Sequence, residues 1–137
     1  MDTYSISEVA KKLNLTTYTL RYYDKEGLIP FVKRTPSGTR QFRDSDVEAL
    51  KIIECLKSTS MPIKEIKHFI DWCSMGDSTL QERYDMFLER KAIVAAQIKD
   101  LEQAMELLEH KCYYYKTALE AGTEDVHQTK KIEVPHH

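Results

Sequence analysis

Between residues 80 and 119 one stripe of side chains repeats at alternating spacings of four and three and never slips. Its members are Leu80, Tyr84, Phe87, Lys91, Val94, Ile98, Leu101, Met105, Leu108, Cys112, Tyr115 and Leu119. Only Lys91 is strongly polar, and neither Gly nor Pro falls between Asp77 and Gly122. A mean spacing of 3.5 residues keeps such a stripe on one side of an α-helix that is wound into a coiled coil. The pattern predicts one helix of about forty residues, roughly 60 Å long at 1.5 Å per residue. In a chain of 137 residues no single small domain can cover that stripe. The helix must pair with another chain, and a two-fold homodimer is the commonest solution. The dimerisation residues are then Leu80, Tyr84, Phe87, Val94, Ile98, Leu101, Met105, Leu108, Cys112 and Tyr115. Periodicity does not decide whether the two helices run parallel or antiparallel.

The opening residues obey a different pattern. Ser5 and Glu8 have the S-x-x-E spacing of a capping box, so a helix starts near Ile6, with Val9, Ala10 and Leu13 on its apolar face. Asn14-Leu15 make a turn and Thr16 caps a second helix, which runs to about Glu26. Gly27 can take the left-handed conformation that ends it. Two short helices joined by a turn of this length form the helix-turn-helix arrangement, whose second helix enters the major groove of DNA. Thr16, Thr17, Tyr18, Arg21 and Tyr22 fall on neighbouring turns of that second helix. Arginine can fork onto guanine, while Thr and Tyr hydroxyls reach phosphates or base edges. Leu20 belongs to the core, and Tyr22 and Tyr23 can be partly core.

Residues 31–43 read as a hairpin, with Thr35-Pro36-Ser37-Gly38 as its turn. Lys33, Arg34, Arg40 and Arg43 make this ribbon basic, so Lys33, Arg34, Thr39 and Arg40 are candidate phosphate contacts. The net charge of −2 hides an asymmetry. Residues 1–44 hold eight Lys/Arg against five Asp/Glu, whereas residues 45–137 hold twelve against seventeen. A basic head on an acidic helical body fits contact with duplex DNA.

Two further helices follow the ribbon. Asp44 is the expected cap of one carrying Val47, Leu50, Ile53 and Leu56 on a single face, with Ile52 beside it. Pro62 opens the other, which carries Ile63, Ile66, Phe69, Ile70, Trp72 and Cys73 before Ser74-Met75-Gly76-Asp77 breaks the pattern. The expected organisation is a DNA-binding unit over residues 1–76, a dimerisation helix over 77–121 and a disordered tail over 122–137. The fold class is mainly all-α, with a small β-hairpin wing. No run approaches eighteen apolar residues and no secretory signal is evident, so a cytoplasmic protein without membrane association is expected. Three cysteines without a C-x-x-C pair suit a reducing compartment. Neither a Gly-rich phosphate loop nor H-E-x-x-H nor a Ser/His/Asp grouping occurs, so neither an enzyme nor a cofactor is expected.

Taken together, residues 3–70 resemble the MerR family of bacterial transcription regulators. The resemblance rests on the capped first helix, Leu20-Arg21-Tyr22-Tyr23-Asp24, Gly27-Leu28-Ile29, Gly38-Thr39-Arg40-Gln41-Phe42, Asp46-Val47 and Ile63-Lys64-Glu65-Ile66. The wing departs from the family's Gly-Tyr-Arg-x-Tyr pattern, because Thr39 and Phe42 replace the tyrosines. A phosphate-contacting hydroxyl survives at Thr39 and is lost at Phe42. The resemblance implies an antiparallel coiled coil holding two winged heads apart on a pseudo-palindromic operator. It also implies a mechanism in which an effector drives bending and untwisting of an over-spaced promoter, so that its elements line up for RNA polymerase.

Within that family the chain is similar to the branch that responds to aldehydes and other electrophiles, in which a cysteine stands at the position of Cys55. A lysine at 51 or 57 could favour its thiolate, while a small buried hydrophobe is the plainer use of a free cysteine. A metal-responsive alternative would combine Cys73, Cys112 and His110 across the dimer. A further alternative is a regulator that binds its ligand without covalent sensing.

Overall fold

A computed structural model of the chain describes residues 2–127. In chain order it contains α1 (Ile6–Leu13), α2 (Thr17–Lys25), β1 (Lys33–Arg34), β2 (Arg40–Gln41), α3 (Asp44–Ser58), α4 (Ile63–Met75) and α5 (Leu80–Ala121). Two 3-10 turns, Gly76–Thr79 and Glu124–His127, flank α5. The mainly helical class, the hairpin and the long last helix all match the sequence reading.

Local chemistry sets the helix ends. Ser5 Oγ accepts the Glu8 N–H at 3.1 Å, and the Glu8 carboxylate accepts the Ser5 N–H at 2.9 Å. This reciprocal box satisfies two donors that the first turn would otherwise leave unpaired. Asn14 takes the left-handed conformation (φ 56°) that closes α1. Thr16 Oγ1 then accepts the Thr19 N–H at 3.0 Å to open α2. Past α2, Gly27 sits at φ 77°, and a β-carbon there would lie 3.0 Å from Lys67 Cε. The backbone angle reserves that place for glycine, since the exposed end of Lys67 could move aside for a side chain but the positive φ would remain. The cap of α3 differs from expectation. It is Arg43, whose N–H donates to Asp46 Oδ2 at 2.9 Å, while Asp44 is already helical. The Asp44 carboxylate instead accepts the Tyr4 hydroxyl at 2.8 Å.

The core of the head lies beneath the two reading helices. Leu20 and Tyr23 from α2, Val9 from α1, Phe42 from the wing, Leu50 and Ile53 from α3 and Ile66 from α4 are fully buried. Complete burial of each large apolar side chain contributes about 1.5–3 kcal/mol. Phe42 is therefore a core residue, and a tyrosine hydroxyl at that position would need its own buried partner. Its backbone pairs with Tyr4, Tyr4 N–H to Phe42 O at 2.7 Å and Phe42 N–H to Tyr4 O at 2.9 Å.

The chain divides into two compact units inside α5, after Arg90. In the first unit Phe87 meets Phe69 edge-on, with ring centroids 5.3 Å apart. Arg90 reaches the Thr59 carbonyl at 3.4 Å and Glu65 at 3.5 Å. In the second unit most of the heptad stripe faces solvent: Ile98 is 51%, Leu101 70% and Leu108 60% exposed. Of the expected tail, residues 122–127 are described. Glu124–His127 forms a turn, with His127 stacked on Tyr114 at 4.1 Å and its Nε2 3.0 Å from the Tyr114 carbonyl. The rest of the expected tail, 128–137, lies outside the described residues.

Candidate nucleic-acid interface

Helix α2 separates its residues by function. Leu20 and Tyr23 point into the core, so the opposite face projects outward. That face carries Tyr18, 78% exposed, with Arg21, Tyr22 and Lys25 one and two turns on. The spacing 18, 21, 22, 25 is one helical stripe. Lys25 completes it and escaped the sequence reading, although the same period would have found it. Thr16 is exposed and half-exposed Thr17 accepts from Arg21 Nη1 at 3.2 Å, a contact that holds the guanidinium along the helix. Beside α2, the last turn of α1 presents Lys11 and Lys12.

The hairpin is short, pairing Lys33 with Gln41 and Arg34 with Arg40. Lys33 and Thr39 are exposed. Arg34 and Arg40 turn back instead. Arg34 Nη2 lies 2.9 Å and Arg40 Nε 2.8 Å from the same oxygen, Asp24 Oδ2. One carboxylate on the recognition helix therefore clamps both strands of the wing. Arg34 remains about half exposed (49%) and can still offer donors outward, whereas Arg40 is mostly covered (19%). Arg43 is engaged by Asp46 at 3.0 Å and by the Phe31 carbonyl at 3.1 Å. Sequence spacing had no means of showing that Asp24 neutralises part of the basic ribbon.

A second link ties α2 to α3. The Tyr23 hydroxyl donates to Glu54 and accepts from Lys57 Nζ at 3.0 Å. Burial, and then the bond to Glu54, raises the Tyr23 pKa well above the ordinary tyrosine value. Cys55 lies between these two α3 residues in the chain and is exposed. The lysines expected to favour its thiolate are committed elsewhere, Lys51 to Glu48 at 3.0 Å and Lys57 to Tyr23. Cys73, His110 and Cys112 are likewise exposed. Among the described residues of one chain, no three His, Cys, Asp or Glu side chains converge to hold a metal ion. No helix among them is long and apolar enough to cross a membrane.

Comparison with known proteins fits this geometry. Residues 4–71 match the family model described as MerR HTH family regulatory protein, and residues 47–111 match the model described as MerR, DNA binding. A relative from Haemophilus influenzae, described as an uncharacterized HTH-type transcriptional regulator, is 40% identical over 88% of this chain and 90% of its own.

The chain belongs to the MerR family.

The solved structure of HiNmlR, a MerR family regulator lacking the sensor domain and bound to promoter DNA, is 39% identical with a TM-score of 0.86. That likeness covers 91% of this chain and 99% of HiNmlR. The regulator AdhR of Bacillus subtilis is 33% identical over 64% of this chain and 62% of its own length. This MerR-family chain is accordingly a DNA-binding transcriptional regulator, and its relatives are regulators rather than enzymes.

Proposed function

We propose that the chain works as a cytoplasmic homodimer that binds a pseudo-palindromic promoter site and distorts it, controlling access by RNA polymerase. The observation that carries this reading is the outward stripe of α2, flanked by the wing that Asp24 holds against it. Likeness to a relative solved on promoter DNA supports the same use of that face. The exposed stripe of α5 supports self-association, because Ile98, Leu101, Met105 and Leu108 are otherwise left in water. In the proposed contact, Arg21 reads a base edge, Tyr18, Tyr22 and Lys25 address the groove and backbone, and Lys33, Arg34 and Thr39 meet phosphates. Arg40 acts by holding the wing. Fluorescence anisotropy on fragments selected from a random duplex pool tests this. Binding should be specific, two chains per site and steeply salt-dependent. Equal affinity for selected and random duplexes would refute it.

For the effector, we assign the sensing role to Cys55 and an electrophile such as an aldehyde. What supports it is an exposed thiol on α3, flanked by the two residues that hold Tyr23 of the recognition helix. Mass spectrometry of the intact thiols after aldehyde exposure should find the adduct on Cys55 first. Equal modification of Cys55, Cys73 and Cys112 would count against this assignment. A regulator that binds its ligand without covalent capture is the second reading, and one cavity of the head favours it.

A further inference from the structure

Within the first unit, the root of the wing, the first half of α3 and the end of α4 line a half-open cavity of about 500 Å³. Its walls are apolar: Pro30 and Phe31 on the wing side, Ala49 and Ile52 from α3, Phe69 and Ile70 from α4. Sites for small organic ligands are concave and mainly apolar, roughly 300–1,000 Å³, with a few polar groups that fix orientation. This cavity has that balance. Its polar edge is Arg43, whose charge is cancelled by Asp46 at 3.0 Å, with Ser45 and Ser74 beside them in the lining. Arg43 Nε and Nη2 are committed to Asp46 and the Phe31 carbonyl, while Nη1 has no hydrogen-bond partner among the described residues. Cys73, an exposed thiol, lies at the α4 side of the lining.

We propose that this cavity is a reversible binding site for a small, neutral, mainly apolar molecule carrying one hydrogen-bond acceptor. Neutrality follows from the Arg43–Asp46 pair, which leaves no net charge for an ion to meet. The acceptor suits the donors of the lining, the Arg43 guanidinium and the Ser45 and Ser74 hydroxyls. The site is separate from Cys55, which does not line it. A guest pressing on Phe31 acts at the root of the wing, because the Phe31 carbonyl is the group that Arg43 holds at 3.1 Å. That consequence rests on the regulator reading above, whereas binding itself does not.

The test uses the full chain and 6-propionyl-2-dimethylaminonaphthalene, a neutral, mainly apolar fluorophore whose ketone oxygen is its one strong hydrogen-bond acceptor. Its emission should rise saturably, to one probe per chain. Saturating probe should slow iodoacetamide labelling of Cys73 about tenfold or more, leaving Cys55 and Cys112 unchanged. Ala49→Phe fills the cavity from α3 and should weaken probe binding about tenfold or more, a shift of about 1.4 kcal/mol. Cys73→Trp fills it from an exposed position and gives the same outcome should Ala49→Phe fail to fold. Absence of saturable binding, labelling of Cys73 that the probe does not slow, or unchanged affinity in a folded filled variant would each overturn the proposal. Because no arm uses DNA, failure here is distinct from failure of the promoter-binding reading.

Discussion

Replacing Asp24 with Asn sets two physical arguments against each other. On charge alone, Asp24→Asn removes a negative group beside the DNA-facing surface and should tighten binding. The structure predicts the opposite. Asp24 holds Arg40 at 2.8 Å with both side chains mostly shielded, 24% and 19% exposed. A charge-assisted bond of that kind contributes about 1–2 kcal/mol. Its second pair, to Arg34, is half exposed and adds no more than about 0.5 kcal/mol after screening. Once the clamp is lost, Phe42 and the Tyr4–Phe42 bridge still anchor the root of the hairpin, but its tip keeps only the two-residue ladder and the Thr35–Thr39 and Gly38–Thr35 backbone bonds. DNA would then have to order the wing itself, at a cost of about 1–2 kcal/mol, or about 5–30-fold in affinity. Anisotropy titrations of wild type and Asp24→Asn on one selected promoter fragment, at several salt concentrations, read the sign directly. An affinity equal to or tighter than wild type would show that Asp24 does not organise the wing.

Arg21→Ala should cost about 1–3 kcal/mol and relax preference at one base pair, whereas Lys33→Ala should weaken all sequences alike and flatten the salt slope; competition against mutated sites separates the two. Leu101 is 70% exposed in the single chain, so Leu101→Asp should spare the head yet give monomers in sedimentation, and an intact dimer would contradict the assigned seam. Tyr23 has a raised pKa in the fold, so its contribution is complete below the ordinary value of 10.0 and declines as pH rises above it. Tyr23→Phe should therefore reduce the alkaline loss of stability in urea melts above that pH, and an unchanged alkaline slope would count against the buried phenol. Cys55→Ser should keep promoter affinity and lose the reporter response to aldehydes, and a retained response would remove Cys55 as the sensor.

Interactions that span three or four residues were readable before any coordinates. The Ser5–Glu8 box, the Thr16 cap, the turn at Gly27 and the period of α5 are all of this kind, because helix geometry alone brings such residues together. What the sequence hid lies in contacts between distant residues. Nothing in the spacing of Arg34 and Arg40 shows that both pair with Asp24, ten and sixteen positions away. Tyr23 reads as partly core, and nothing local announces Glu54 and Lys57 as the partners of its hydroxyl. Asp44 was the better cap by residue type, yet Asp46 reaches the Arg43 N–H and so fixes the start of α3 one residue earlier. Phe42 seemed a lost hydroxyl because a two-residue strand carries too little alternation to show which side faces inward.

The pairing of Tyr4 with Phe42 brings the two ends of the DNA-reading segment to one point on the surface of the fold. Everything between them leaves and returns through that single backbone bridge. The segment can therefore be exchanged as a cassette: splicing at these two positions transplants α1, α2 and the wing without lengthening or redirecting the chain. The recipient must accept the cassette's buried face, because Val9, Leu20 and Tyr23 share one core with Leu50, Ile53 and Ile66, and it must meet three polar contacts. Glu54 and Lys57 must find a tyrosine at position 23, Arg43 must find the carbonyl at 31, and Asp44 must find the hydroxyl at 4. A hybrid that keeps that core and those three contacts would carry a donor's operator preference on this chain's own α3–α5.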